Sequence, residues 1–287
     1  VASRGLGDVY KRQNEEMADV MRASGGVICA AGDGLAPADK KLYALRDVTG
    51  TVEAIPLIAS SIMSKKIAEG ADGLVLDVKT GNGAFMSDLA RAEKLARTMV
   101  EIGNDAGVRT RALITAMDVP LGLAVGNAIE VTESLEVLAG GGPSDLIELV
   151  IALANEMLDI AGIDADPREA ITSGRAMDHW RRMVSAQGGD PDAPLPVARH
   201  QHVITAPVAG PLSTLEAYGV GVAAWRLGAG RAHKEDEIVH GAGVQLHAKP
   251  GDMLSEGQPI MTLLADDEAR LPAAIAELEG SWEVGAE

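Results

Sequence analysis

The sequence predicts an α/β protein with a mostly parallel sheet, followed by a C-terminal β-rich region of α+β type. Segments typical of strands alternate with segments typical of helices from Val27 to Ala161, and this alternation indicates a mostly parallel sheet. Between Val203 and Leu264, short β-prone runs are interrupted by glycine every few residues. The Pro-, Gly- and Asp-rich stretch 188–196 separates the two textures and predicts a domain boundary.

Helices in the first region are predicted where apolar residues recur every three or four positions. The segment Asn14–Ser24 is amphipathic in this way, and Gly25 follows as a stop signal. The clearest helix is Val52–Glu69, which has a broad apolar face. Pro56 lies in its first turns, where a missing N–H costs little, and Gly70 follows its end.

Strands are predicted where short apolar runs are bounded by turn residues, at Val27–Ala31, Leu74–Val78 and Arg111–Met117. A turn at Thr80–Gly83 follows the second of these strands. The remaining helical predictions are Ala38–Leu45 (helix or turn), Ser87–Gly103 with Ser87 as the N-cap, Val131–Leu138, Asp145–Ala161 and a closing helix at Leu271–Leu278.

Composition excludes several classes of partner. The net charge of -17 argues against binding to nucleic acid or to an anionic membrane surface, because the long-range field repels polyanions. Cys29 is the only cysteine, and no apolar run approaches the roughly 20 residues that span a bilayer. We therefore expect a cytoplasmic protein.

Residues 1–13 do not lead into the pattern that follows, and we expect them to be foreign to the fold or disordered.

Three polar residues form the first candidate site. Ser61 and Lys65 are four positions apart on the predicted helix, so both side chains face one way. Together with Arg46 they can hold a planar ligand that is rich in carbonyl groups. The alternative is that Lys65 and Lys66 form a solvated helix edge and that Arg46 pairs with Asp47 or Glu53. Spacing alone favours this alternative.

Two loops are also candidate sites. The Gly-rich segment Asp77–Met86 follows a strand, and ligands commonly lie at the carboxyl ends of strands in α/β sheets. The alternative is a tight strand-to-helix turn. In Leu121–Glu133, backbone carbonyls and the carboxylate of Glu130 or Glu133 can bind a hard cation. The simpler explanation is that these glutamates lie in the first turns of a helix, where the helix dipole stabilises negative charge. The residues alone favour this explanation.

The C-terminal run Ala248–Ile260 is similar to a strand turn of a lipoyl- or biotinyl-like sandwich. A swinging-arm carrier would need a lysine at a hairpin tip, in a Met-Lys-Met setting, and the run has no such setting. A structural role is favoured, and a non-catalytic carrier or binding module remains the alternative from another functional class.

Several long stretches resemble the thymidine/pyrimidine-nucleoside phosphorylases. The most specific are residues 35–70 and 71–86, and the likeness continues through 106–118, 126–131 and 222–244. This resemblance implies reversible phosphorolysis of pyrimidine nucleosides (thymidine, with uridine or deoxyuridine open) to free base and a pentose 1-phosphate. It also implies a homodimer, and substrates that are a nucleoside and phosphate.

The resemblance implies a division of the chain into domains. Residues 14–37 and 69–190 would form the α/β domain, and residues 38–68 would be the remnant of a small helical domain that binds the base. Residues 197–287 would form the C-terminal β-rich, lipoyl-like domain.

The resemblance also implies roles for named residues. Arg46 and Lys65 would hold the pyrimidine carbonyls and stabilise negative charge on the departing base, while Ser61 would bond the ring edge. No residue is assigned as catalytic by this comparison.

A cation is implied as well, and no organic cofactor. Potassium or calcium would be bound by the backbone carbonyls of Leu121 and Ala124 and by the carboxylate of Glu133.

The sequence departs from the family pattern at its start. A Lys/Ser phosphate-binding segment and a His-Thr-Gly-Gly-Thr signature are expected upstream of Asn14, and the preceding residues contain neither. We therefore expect an N-terminally truncated chain without a phosphate site and nearly inactive alone. A related phosphorylase of nucleoside monophosphates, or a phosphoribosyltransferase, is the rival enzyme, and it would need a further basic pocket for the 5′-phosphate.

Overall fold

A computed structural model describes residues 14–28, 36–39, 41–43, 50–51, 53–231 and 236–285. Within these ranges the fold is mixed α/β, with small sheets that are partly antiparallel. One sheet pairs β1 with β2 in parallel, and two antiparallel sheets have the strand orders β3-β6-β8-β4 and β7-β5-β9. The strands are β1 Gly73–Thr80, β2 Arg109–Ala116, β3 Ala124–Gly126, β4 His200–Thr205, β5 Gly210–Leu215, β6 Gly243–Leu246, β7 Met253–Leu254, β8 Pro259–Ala265 and β9 Trp282–Val284.

The helices surround these sheets. They are α1 Asn14–Ser24, α2 Ile55–Ala68, α3 Leu89–Asp105, α4 Ala128–Leu138, α5 Ser144–Ala161, α6 Pro167–Thr172, α7 Arg175–Ala186, α8 Ala217–Ala224 and α9 Leu271–Glu277. A π-helical turn, Trp225–Ala229, follows α8, and a 3₁₀ turn, Glu268–Arg270, precedes α9. Among the described residues, none of these helices is long and apolar enough to cross a membrane.

Amphipathic segments lie close to where periodicity places them. The prediction of α1 is confirmed at both ends, and α2 begins with a proline in its first turn, as expected. The N-cap of α3 is Asp88, whose carboxylate accepts a hydrogen bond from the Arg91 N–H, so the prediction of Ser87 as the cap is wrong by one position. Aspartate and serine are both good caps, and sequence alone does not separate neighbours.

The described strands match the sheet predictions only in part. The parallel sheet has two strands among the described residues, β1 and β2, and the other two described sheets are antiparallel. Of the strand predicted at Val27–Ala31, residues 27 and 28 are not in a strand, and the remainder lies outside the described residues. The texture from Val203 to Leu264 is not purely β, because α8 interrupts it. Helix α8 consists almost entirely of apolar and small residues, so it lacks the amphipathic period that would have revealed it.

Two buried cores can be distinguished. The first lies between α2, α3 and one face of the parallel sheet, with Ala59, Met63 and Met99 among its members. Helix α5 covers the other face so closely that a β-carbon on Gly73 would lie inside the contact distance of Ile160. The second core lies between the antiparallel sheets, α8 and α9, and is centred on fully buried residues such as Leu263.

Candidate functional site

Ser61 and Lys65 meet on α2. The Lys65 Nζ donates a hydrogen bond to the Ser61 Oγ at 3.0 Å. The same ammonium lies 2.5 Å from the Asp39 Oδ2. Ser61 is buried, whereas the Lys65 side chain is 30% exposed. The structure thus joins a hydroxyl, an ammonium and a carboxylate, and it brings together two of the three residues predicted to bind a base.

The third predicted base residue, Arg46, lies outside the described residues. Glu53, one of the two partners that the alternative interpretation offered for Arg46, has a carboxylate oxygen 3.7 Å from the Arg91 guanidinium. Lys66 pairs with Glu69 at 3.1 Å on the exposed side of α2. The solvated-edge interpretation therefore fits Lys66, while Lys65 has buried and half-buried polar partners.

Helix α2 carries this pair over the core that it shares with α3 and the parallel sheet. A β-carbon on Gly103, at the end of α3 and shortly before β2, would lie 3.0 Å from the Met63 Cε. Ser61 and Lys65 flank Met63 within about one helical turn. The Gly-rich segment is anchored in the same core, because Met86 at its end is buried together with Ala59 and Met63 of α2.

The Gly-rich turn binds another part of the chain. The Asn82 side chain donates to the Asp118 carbonyl at 3.0 Å and accepts from the Tyr218 N–H at 3.2 Å. Asn82 therefore caps α8 from a distant position, and the Ala217 N–H donates to the same Asp118 carbonyl. A β-carbon on Gly83 would lie 2.8 Å from the Ala217 β-carbon. These contacts favour the structural interpretation of the turn.

A charge-balanced trio stands at the carboxyl end of the parallel sheet. The Lys79 Nζ lies 2.7 Å from the Asp77 Oδ2 and donates to the Thr115 Oγ1 at 2.8 Å. The Thr115 hydroxyl in turn donates to the Asp77 Oδ1 at 2.5 Å. Each of the three side chains is thus hydrogen-bonded to the other two.

Glu133 is the buried carboxylate of the predicted cation site. Its Oε1 accepts a hydrogen bond from the Leu123 N–H at 2.6 Å, and its side chain fits against Gly122, where the backbone has a φ of +67°. Burial raises the pKa of Glu133, an effect that the Leu123 N–H only partly opposes. Nearby, burial alone would raise the pKa of Asp145, but Lys249 with backbone N–H groups holds it below its ordinary value.

Of the two predicted carbonyl ligands, Leu121 lies in the turn before β3 and Ala124 is the first residue of β3. The Leu246 N–H donates to the Leu123 carbonyl in the pairing of β3 with β6. Because carbonyls along a strand alternate in direction, the Ala124 carbonyl points away from β6. Leu121 is partly exposed on the preceding turn. In the described ranges no group of three or more His, Cys, Asp or Glu can hold a metal ion, so a cation here would depend on backbone oxygens.

Sequence reasoning missed Asp39 and the role of Asn82. Asp39 reaches Lys65 across 26 positions, and Asn82 reaches Tyr218 across 136. Neither distance corresponds to a helix or strand period. A polar side chain in a short helical turn, as at residues 37–39, carries no local signal of its partner.

Comparison with known proteins identifies the class. Residues 6–178 match the family described as "Glycosyl transferase family, a/b domain". Residues 212–285 match the "Pyrimidine nucleoside phosphorylase C-terminal domain". The mixed α/β fold is therefore that of a family of glycosyl transferases. The chain belongs, within that class, to the thymidine/pyrimidine-nucleoside phosphorylase family, which confirms the resemblance noted in the sequence.

Individual relatives are similar over nearly the whole chain. It is 55% identical over 275 residues to the thymidine phosphorylase of Mycobacterium tuberculosis strain CDC 1551, covering 96% of the chain and 63% of that protein. It is 48% identical over 280 residues to the pyrimidine-nucleoside phosphorylase of Bacillus subtilis strain 168, covering 93% of the chain and 64% of that protein. The chain thus spans slightly less than two thirds of the length of these relatives.

Proposed function

We propose that this protein takes part in the reversible phosphorolysis of pyrimidine nucleosides, releasing the base and forming a pentose 1-phosphate. The observation that carries the proposal is the contact between Lys65 and the buried Ser61, in a chain half identical to relatives named thymidine or pyrimidine-nucleoside phosphorylase. In this reaction the base departs with negative charge, and a preorganised ammonium stabilises that charge as it develops.

The pair suits a pyrimidine for a physical reason. An ammonium donates to a ring carbonyl, and a hydroxyl can donate or accept at the ring edge. Because Ser61 is buried, a hydrogen bond between its hydroxyl and the base would be little screened by water. We propose Arg46 as the second cationic contact, from the family resemblance.

We also propose the finer organisation that the resemblance implies. Residues 38–68 would belong to a helical base-binding domain, residues 14–37 and 69–190 to an α/β domain with a mostly parallel sheet, and residues 197–287 to a lipoyl-like domain. The second buried core lies within residues 206–284, which supports a separate C-terminal domain, whereas the division between residues 38–68 and the α/β domain rests on the family resemblance alone. Family resemblance supports a cytoplasmic homodimer, and a nucleoside and phosphate as substrates.

For the cation we propose potassium or calcium at Leu121, Ala124 and Glu133. The orientation of the Ala124 carbonyl and the buried carboxylate support it, because a bound cation would compensate the charge of Glu133. Potassium or calcium should raise the unfolding temperature of the wild type more than that of Glu133→Gln. An equal rise in both proteins would contradict the site.

Base binding is tested by titrating thymine into the protein by calorimetry. Binding should occur in the wild type, weaken in Ser61→Ala and be largely lost in Lys65→Met. Lys94→Met is the matched control, because Lys94 is an exposed lysine on a different helix, α3. Loss in both lysine variants, or in neither, would contradict the proposed site.

The reaction is tested as phosphate-dependent release of thymine from thymidine, with the M. tuberculosis relative as a reference. Release from thymidine 5′-monophosphate but not from thymidine would favour the rival nucleotide phosphorylase. The expectation that the chain alone is nearly inactive stays a prediction, and the same assay checks it.

A further inference from the structure

The Lys65 ammonium is held from two sides. Its Nζ lies 2.5 Å from the Asp39 Oδ2 and 3.0 Å from the Ser61 Oγ. An ammonium has three N–H donors, so these two contacts leave one donor for another acceptor. Asp39 thereby fixes the direction in which the third donor points.

Burial makes the Asp39 contact different from an ordinary surface ion pair. The Asp39 side chain is 12% exposed and that of Lys65 is 30% exposed. On the same helix, the side chains of Lys66 and Glu69 are 42% and 41% exposed at a longer distance of 3.1 Å. Water screens the first pair less than the second, and charge-assisted hydrogen bonds are strongest where solvent is excluded.

A restraint of this kind matters for lysine because its side chain is long and flexible. Its four-carbon stem has many rotamers, and ordering it only when a ligand binds would weaken the affinity. Asp39 orders the stem before any ligand arrives, with the ammonium already against the Ser61 hydroxyl. The contact is therefore a form of preorganisation.

We propose that Asp39 is a positioning residue of the base site, acting through Lys65. It holds the ammonium against Ser61 so that its remaining donor meets a carbonyl of the pyrimidine. This inference rests on the proposed function of Ser61 and Lys65, and assigns a role to a residue that neither sequence pattern nor resemblance had singled out.

The test compares Asp39→Asn with Glu69→Gln, which makes the same carboxylate-to-amide change in the neighbouring surface pair. Thymine affinity measured by calorimetry should fall about tenfold in Asp39→Asn, the size expected when one long side chain must be ordered on binding. It should not change in Glu69→Gln. Asp39→Glu keeps the charge but alters the reach, and should give an intermediate loss.

A double-variant cycle separates positioning from a general effect on folding. In a Lys65→Met background, Asp39→Asn should cause no further loss of thymine affinity, because the group it orients is gone. Circular dichroism and the unfolding temperature establish that each variant is folded. If Asp39→Asn does not fold, Asp39→Glu carries the comparison in both backgrounds.

Three outcomes overturn the inference. Unchanged affinity in Asp39→Asn shows that the contact is dispensable, and tighter binding shows that Asp39 competes with the base. An equal loss in the Lys65→Met background shows a structural role. Failure of the proposed function looks different, since the wild type would then bind no thymine or would bind it independently of Lys65, and both ideas would fall together.

Discussion

The two buried cores differ in size and in what they support. Among the described residues, the fully buried large side chains lie between Leu212 and Leu278, with the single exception of Met63. The core beneath α2 and α3 is smaller, and much of its lining is only partly buried. Stability is therefore concentrated in the C-terminal region, whereas the Ser61–Lys65 pair lies over the smaller core.

This difference has a functional meaning. Elements that must adjust to a ligand come from the less stable parts of a protein, because a rigid core resists movement. A base site on α2 can change shape at modest cost while the antiparallel sheets keep their packing. The turn around Asn82 and the pairing of β3 with β6 join the two regions.

The largest expected effect comes from shortening one buried side chain in the C-terminal core. Leu263→Ala should destabilise the protein by about 2–5 kcal/mol, because the fully buried side chain leaves a cavity. Leu89→Ala is the matched control, since Leu89 is 55% exposed. Denaturant unfolding measures both variants. A similar small effect in both would contradict the assignment of stability to this core.

The next largest change in stability is expected where the Gly-rich turn contacts α8 and joins the two regions. Gly83→Ala places a methyl group against Ala217 and should cost about 1–3 kcal/mol through overpacking. Gly221→Ala on α8 is the control, because a β-carbon there meets nothing within 4 Å. That change should be neutral or stabilising, by up to about 1 kcal/mol. If both variants changed the unfolding temperature equally, the turn would not be packed tightly against α8.

The local periodicity of the sequence predicted the helices well but did not predict the tertiary contacts between distant residues. The bounds of α1 follow from its apolar face, and the proximity of Ser61 to Lys65 follows from a spacing of four residues. Asp39 could not be found in this way, because its partner is selected by tertiary packing. Helix α8 was missed for a related reason, since a segment of apolar and small residues alone has no polar face to set its period.

A pH dependence is expected from Glu133. Because burial raises its pKa, the folded protein binds a proton there more tightly than the unfolded chain does. That contribution to stability is present at acid pH and is lost as pH rises through the raised pKa. As pH rises from about 4, the ordinary range of a glutamate, through the raised pKa, the stability of the wild type should fall relative to Glu133→Gln. A constant difference in unfolding free energy across this range would contradict the burial argument.

The smallest expected effect is at the surface of α2. Glu69→Gln breaks an exposed ion pair with Lys66, which should change the unfolding free energy by less than about 1 kcal/mol. Added salt should make the difference smaller still. A larger loss would mean that α2 is held by its surface charges and not by the core beneath it.

The most direct measurement is a proton–nitrogen correlation spectrum of the isotope-labelled protein, recorded during titration with thymine. We predict that the amide signals of α2 around Ser61 and Lys65 shift, while signals from the antiparallel sheets stay in place. Shifts confined to the C-terminal sheets, or no shifts at all at saturating thymine, would contradict the assignment of base binding to the less tightly packed region.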